Sequence, residues 1–546
     1  DGTIHGAVTA PLRVLLEQWK RGLDVDIPGR VVVPPSLRAY VLAASAVGLG
    51  RPVLAVVAGE REAEDLVDDV SLFLEDTHHL PAWETLPFEH VSPNVVTMAR
   101  RIDARHRLRG EGAAVVVASV RAVTQRISPS RITPVAVEVG ATREFDGFVD
   151  ELVQLGYLRT DRVEVRGDMA VRGGIVDVFP PSFDDPIRID FWGDDVDAIR
   201  SFSASSQRSV SDWDRAVILP AREVLIDEAL ARRADELRTD APWASDTWDR
   251  IAEGITFQGM ESWLPWLAPP RTALDESDAP VFLFDGVRCA SRAQDLIDEE
   301  ADLAAALADT WGSESPEAGA HPPLYLPLDT DAIADRLVEA PPQPAGPGDD
   351  GFEIRGLDAV AGDPESVARA INRWRERDVD IVVAMDGEGA AARVASLLAE
   401  HGADLPLDDA LERVATAVIP VGIHNGFVFP AASFGVVGER EVAGRRRAHR
   451  TARAGTRREI GDAYRDLNPG DFIVHHHHGI GRFAGLVHRD MAGVERDYLL
   501  VEYAGDDRLY VPTDQLAAVT RYSGGESPRL SRMGGTDWSQ TRSKVR

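Results

Sequence analysis

Val31-Val32-Val33-Pro34-Pro35-Ser36-Leu37-Arg38-Ala39-Tyr40-Val41-Leu42-Ala43-Ala44 holds the change of rhythm that decides the fold. Three β-branched residues predict a buried strand, and the proline pair ends it. Leu37, Tyr40, Val41 and Ala44 then recur at helical spacing. The pattern repeats outward. Residues 53–57 predict a second strand, and Ala63, Leu66, Val67, Val70, Phe73 and Leu74 a second helix. Val115-Val116-Val117 predicts a third strand, with Ser119 as N-cap of the helix behind it. Strands alternating with helices imply a parallel sheet covered on both faces, an α/β fold.

The same prolines bear on chemistry. A phosphate loop needs backbone N–H donors and a lysine between Gly and Ser or Thr. Pro34 and Pro35 offer no N–H. Lys20 sits in Gln-Trp-Lys-Arg-Gly and Lys544 in Arg-Ser-Lys-Val-Arg, and there is no other lysine. No nucleotide cofactor is therefore expected here. No Ser-His-Asp set, carboxylate pair or cysteine nucleophile stands out by spacing, so no catalytic residue is expected either. Gly387-Glu388-Gly389-Ala390-Ala391-Ala392 fits a dinucleotide fingerprint, but Glu388 would repel a pyrophosphate, and a glycine-rich helix start is the simpler reading. In the run His475 to His478, neighbours on a strand point to opposite faces, so no metal site is expected.

The character changes along the chain. Ile187, Ile189 and Phe191 alternate with Arg188, Asp190 and Trp192, the signature of a half-buried strand. Residues 136–220 read as an α+β insertion, and residues 221–340 return to helices, including 248–267, around the apolar strand 281–284. The proline-rich residues 341–351 read as a linker. Residues 352–444 form a small α/β unit with a strand at 381–384. Residues 445–467 form a basic tether with seven arginines between Arg445 and Arg458. Residues 468–527 carry about five short strands, which suggests a small SH3-like barrel. Residues 528–546 begin a helix.

Ninety acidic residues against 59 basic ones give a net charge of −31, which weighs against DNA binding by the whole surface. At 546 residues the chain exceeds a single core, and 44% hydrophobic content is ordinary for globular domains. Cys289 alone can form neither an internal disulfide nor a cysteine zinc site. No apolar run approaches the roughly 20 residues that span a bilayer, and residues 1–9 do not resemble a signal peptide. A cytoplasmic monomer without membrane contact is expected.

Three stretches carry a family resemblance. The first is Pro81-Ala82-Trp83-Glu84-Thr85-Leu86-Pro87-Phe88 with Val117-Ala118-Ser119-Val120. The second is Val171-Arg172-Gly173-Gly174-Ile175-Val176-Asp177-Val178-Phe179-Pro180 with Ile187-Arg188-Ile189-Asp190-Phe191-Trp192-Gly193-Asp194. The third joins Gly470-Asp471-Phe472-Ile473-Val474-His475, His478-Gly479-Ile480-Gly481-Arg482-Phe483, Asp497-Tyr498-Leu499, Glu502-Tyr503-Ala504 and Leu509-Tyr510-Val511-Pro512. In order and spacing the chain resembles the front half of the bacterial transcription-repair coupling factors, the Mfd family.

The resemblance implies a degenerate, P-loop-type core like that of the excision-repair protein UvrB, with residues 1–135 and 221–340 as its two parts. Residues 33–38 stand where UvrB has its phosphate loop, and the stretch between Trp83 and Pro93 is too short for UvrB's damage-probing hairpin. It further implies a UvrA-binding insertion with contacts at Arg172, Arg188 and Trp192, although a salt-bridged surface strand is the plainer reading of those residues alone. The C-terminal barrel, by resemblance CarD-like with an SH3/Tudor-like fold, would grip the RNA polymerase β subunit through Tyr498, Leu499, Leu500, Val501, Glu502 and Tyr503. That strand is expected at an open sheet edge, unless Leu499, Val501 and Tyr503 simply fill the core. ATP, magnesium and most DNA contact would belong to a translocase motor beyond Arg546. The rival reading is a UvrB-like, ATP-dependent helicase.

Overall fold

The computed structural model describes residues 10–21, 29–85, 87, 91–129, 133–308, 321–344, 351–444, 470–475, 479–491, 494–504, 508–512 and 519–521. The basic tether 445–467, the terminal residues 528–546, His476 to His478 and most of the 341–351 linker lie outside them. The chain divides into two compact units, residues 1–449 and 450–546.

The first unit is built on a six-stranded parallel sheet. Its order is Gly29–Arg30, Leu337–Ala340, Val281–Phe284, Pro52–Val57, Ala114–Ser119 and Thr77–Leu80. Pro52–Val57 and Ala114–Ser119 are buried at every residue, as parallel strands covered on both faces must be. Val53, Ala55 and Val57 pack toward helices Arg38–Leu49 and Glu60–Ser71. Leu54 and Val56 pack toward the opposite layer, with Ala104, Leu108 and Trp248. Ser119 caps its helix by accepting the Ala122 N–H at 3.2 Å. The expected continuous helix over 248–267 is broken into Ser245–Ala252, a 3-10 turn Met260–Trp263 and Leu264–Leu267. Gly254 and Gly259, at φ +76° and +83°, supply the left-handed turns that interrupt it.

A four-stranded sheet in residues 352–444 runs Ala417–Ile419, Asp380–Ala384, Phe434–Val437, Phe427–Phe429, the last strand antiparallel. It shares a core with the first sheet. The Tyr40 ring meets Phe434, Phe427 and Phe429 at centroid distances of 5.1, 6.3 and 6.3 Å.

The insertion forms its own sheet, ordered Ser209–Trp213, Asp195–Phe202, Ile187–Trp192, Ile175–Val178, Asp168–Arg172 and Leu158–Arg159. Its pairs are antiparallel except the last. Val135–Glu138 pairs antiparallel with Arg215–Ile218, so the chain enters and leaves the insertion side by side. Met169, Val176, Val178, Ile187, Ile189 and Ile199 bury one face of the sheet against Phe148, Val149 and Leu152 of helix Phe145–Gln154.

The second unit is a five-stranded antiparallel sheet ordered Arg508–Pro512, Val494–Glu502, Gly479–Met491, Phe472–His475, Val519–Arg521. Among the described residues the two end strands do not pair, so the sheet is an open ladder. Ile473, Phe483, Leu499, Val501 and Tyr503 are its buried core. Gly481 is required by close packing: a Cβ there would stand 2.4 Å from Val501 Cγ1 and 3.1 Å from the Tyr503 ring.

The candidate partner-binding face of the inserted sheet

A tight glycine turn shapes this face. Gly173, at φ +58°, turns Asp168–Arg172 into Ile175–Val178, and a Cβ on the adjoining Gly174 would lie 2.7 Å from the Phe191 carbonyl oxygen. Register then fixes which side chains share a side. Arg172 stands opposite Ile175, and Ile175 opposite Asp190. Asp177 stands opposite Arg188, Arg188 opposite Arg200, and Arg200 opposite Asp212. Directly opposed residues face the same way, so Arg172, Arg188 and Trp192 lie on one side, away from the helix-covered core. The strand parity expected for Ile187–Trp192 is the one found, with alternate residues buried.

The three residues are not equivalent. Arg188 is committed to the fold. Its Nε and Nη2 donate to Asp177 Oδ1 and Oδ2 at 2.6 and 2.8 Å, and its guanidinium lies 4.8 Å from the Phe202 ring centroid. The Asp177 carboxylate, hydrogen-bonded to it, holds Arg188 protonated even more firmly than usual. Arg200 reaches Asp190 at 2.7 Å and Asp212 at 3.5 Å, extending the lattice of charges. Arg172 is exposed and donates once, to the Asp161 carbonyl at 3.1 Å. Trp192 is 84% exposed, an aromatic side chain left in water. Such a side chain is the kind that anchors protein interfaces.

Sequence reasoning passed over Asp177. Its signal was present: an aspartate inside the apolar run Ile175-Val176-Asp177-Val178-Phe179 must be paired if buried, and Asp177 is 2% exposed. It also passed over a buried junction where the insertion rejoins the central sheet. Glu223 accepts hydrogen bonds from Trp83 Nε1 at 2.7 Å, Arg101 Nε at 2.7 Å and Arg105 Nη1 at 2.9 Å. Burial alone would raise the Glu223 carboxyl, yet Arg101 and Arg105 hold it below the ordinary range. Trp83 in the first motif is thus a structural anchor.

At the carboxyl end of the central sheet, a crevice of about 440 Å³ lies among Pro35, Arg38, Gly59, Glu62, Asp65 and Arg288. This is the switch-point position where α/β sheets hold ligands. Here the Arg38 guanidinium is tied to Glu62 at 2.5 Å and lies 4.8 Å from the Phe284 ring centroid. Glu62, Asp65 and Asp69 share this lining with Arg38, Arg61 and Arg288, so the crevice offers a polyphosphate no surplus of positive charge. Gly387, at φ +91°, opens helix Glu388–Glu400, as a glycine-rich helix start requires.

In the second unit, residues 498–503 do not lie on an open edge. Strand Val494–Glu502 pairs on both sides, Leu500 lying opposite both Gly485 and Tyr510. Sequence spacing could not show this, because the edge is set by Arg508–Pro512, which adds outside it. Leu499, Val501 and Tyr503 are buried, while Leu500 and Glu502 are half-buried, and Glu502 accepts from Arg482 Nη2 at 2.9 Å. Tyr498 stands in register between Val487 and Pro512. His475 pairs with Gly479. Among the described residues no His, Cys, Asp and Glu cluster has metal-site geometry, and no helix is long and apolar enough to cross a membrane.

Residues 135–224 match the UvrB interaction domain, and residues 467–523 match the CarD-like/TRCF RID domain. The chain is similar to a transcription-repair-coupling factor of Mycobacterium bovis, 33% identical over 100% of this chain and 48% of that protein. Its likeness to the factor of Bacillus subtilis is 26% over 93% of this chain and 46% of the relative. For Escherichia coli it is 27% over 90% and 45%. The chain spans about half the length of the curated relatives it matches. The resemblance drawn from the three motif stretches therefore holds along the chain.

Proposed function

We propose, taking the likeness to transcription-repair-coupling factors as premise, that this chain is a docking platform that joins a stalled RNA polymerase to nucleotide excision repair. The inserted sheet binds UvrA through its outer face. Arg172 and Trp192 make the contact, and Arg188 keeps the strand in place through Asp177. The second unit, read as an SH3-like barrel, binds the polymerase β subunit. An incoming strand adds along Arg508–Pro512, with residues 498–503 as the strand behind it, because backbone N–H and C=O groups are open only at a sheet edge.

The central sheet is read as a P-loop-type fold whose phosphate site is now closed by Arg38 and Glu62. Nucleotide, magnesium and most DNA contact are assigned to the half of the relatives that this chain does not match. The chain itself is read as a non-catalytic monomer.

The observation that carries the reading is Trp192, exposed on a charged face inside the segment that matches the UvrB interaction domain. An indole this exposed adds little to folding and offers a partner a large apolar anchor. In calorimetric titration with UvrA, the Arg172→Ala, Trp192→Ala double variant is expected to bind at least a hundredfold more weakly than the wild type. Wild-type affinity in that variant would end the assignment.

A further inference from the structure

Beside Trp192 runs a shallow groove of about 400 Å³, lined by Val139, Gly140, Trp192, Asp195, Val196 and Asp197. Its frame is fixed by hydrogen bonds. The Gly140 N–H donates to the Val196 carbonyl at 2.8 Å, the Val196 N–H to the Ala141 carbonyl at 3.0 Å, and the Thr142 hydroxyl to Asp195 Oδ1 at 2.7 Å. Two groups on its border are uncommitted among the described residues. The Trp192 indole makes no hydrogen bond or ring contact, and Asp197 is exposed with neither a hydrogen bond nor an ion pair.

Asp197 owes its position to a β-bulge. Val196 stands opposite Phe191 and Ala198 opposite Asp190, so Asp197 is the extra residue of its strand. Bulges re-aim a side chain and recur next to functional sites. Here the bulge interrupts the register beside Trp192.

An aromatic face and a free carboxylate around one groove select for one kind of occupant. The indole attracts a guanidinium or ammonium group through its ring quadrupole, and the carboxylate supplies the counter-charge. An acidic or phosphate-bearing group would be repelled by Asp195 and Asp197. A wholly apolar one would strand their charges.

We infer that the groove between Trp192 and Asp197 is a socket for an arginine or lysine side chain presented by UvrA. This rests on the reading of the inserted sheet as the UvrA face. The full chain is titrated calorimetrically with UvrA at low and high salt, as wild type and as Asp197→Asn, Asp197→Lys, Trp192→Phe and Trp192→Ala. Asp197→Asn is expected to weaken binding about tenfold and flatten its salt dependence, and Asp197→Lys to weaken it about a hundredfold. Trp192→Phe keeps a ring and stays within about threefold of wild type, while Trp192→Ala loses more than tenfold. Wild-type affinity and salt dependence in both Asp197 variants, while wild type binds UvrA, overturns the socket and leaves the docking face standing. No binding by the wild type overturns both.

Discussion

Replacing Arg188 by alanine distinguishes a residue that holds the docking face together from one that touches the partner. The substitution removes two charge-assisted hydrogen bonds to Asp177 and a guanidinium stacked on Phe202. The carboxylate left behind is 2% exposed. Breaking a buried pair by removing one member costs about 3–5 kcal/mol, and the lost stacking about 0.5–1 kcal/mol. The Arg188 side chain is 22% exposed, so water entering the hole offsets part of the loss. A net cost of about 3 kcal/mol follows, or roughly 150-fold in an equilibrium constant. Hydrogen exchange in the full chain reads it directly, as protection at Val176, Ile189 and Ile199 falling by about that factor. Replacing the pair together, Asp177→Val with Arg188→Leu, is expected to restore most of it, since apolar isosteres of buried pairs are often neutral. Protection within threefold of wild type in Arg188→Ala would refute the reasoning, and Arg188 would then count as a direct contact.

Glu223→Ala removes the buried carboxylate paired with Arg101, whose side chain is 0% exposed, and leaves Arg105 its Glu276 partner at 3.0 Å; it is expected to cost about 4 kcal/mol. Urea denaturation followed at the central sheet checks it, with Glu223→Gln milder. His78 sits between Asp103 Oδ2 at 2.8 Å and Asp76 Oδ1 at 2.7 Å. Burial alone would lower it, but the two carboxylates raise it to about 9. Its contribution is therefore complete below about pH 6.5 and lost as pH rises through 9, on the order of 2–3 kcal/mol. A melting series should show that decline in the wild type and not in His78→Gln. Leu499→Arg places a cation among Ile473, Phe483, Val501 and Tyr503. Loss of polymerase binding should thus arrive with loss of exchange protection in the second unit, and separate loss of binding alone would contradict the core assignment.

Legibility in the sequence followed the reach of each interaction. The parallel sheet was readable from its inner strands: Val53 to Val57 and Val115 to Val117 are buried on both sides and need no polar alternation. The strand expected at Val31-Val32-Val33 forms instead at Gly29–Arg30, and Thr77–Leu80 and Leu337–Ala340 carry no such apolar run. The outward side of Arg188 and Trp192 was readable because a strand has a period of two residues. What Arg188 does there was hidden, since its partner Asp177 lies eleven residues away, across the proline-bearing connection 179–186. The Trp83–Glu223 junction was hidden for the same reason, with 140 residues between its members. The edge of the second unit was misread because alternation reports which side of a strand is buried and nothing about its neighbours. Nothing local to Leu509-Tyr510-Val511-Pro512 tells that this strand adds outside residues 498–503.

The central claim is that one polypeptide carries two independent docking surfaces. Mass photometry of the wild-type chain mixed with UvrA and the RNA polymerase β subunit tests it most directly. A single species containing all three components is the predicted result, reduced to the chain–polymerase pair by Arg172→Ala with Trp192→Ala. Mutually exclusive binding, or a chain that ignores both proteins, would contradict the account.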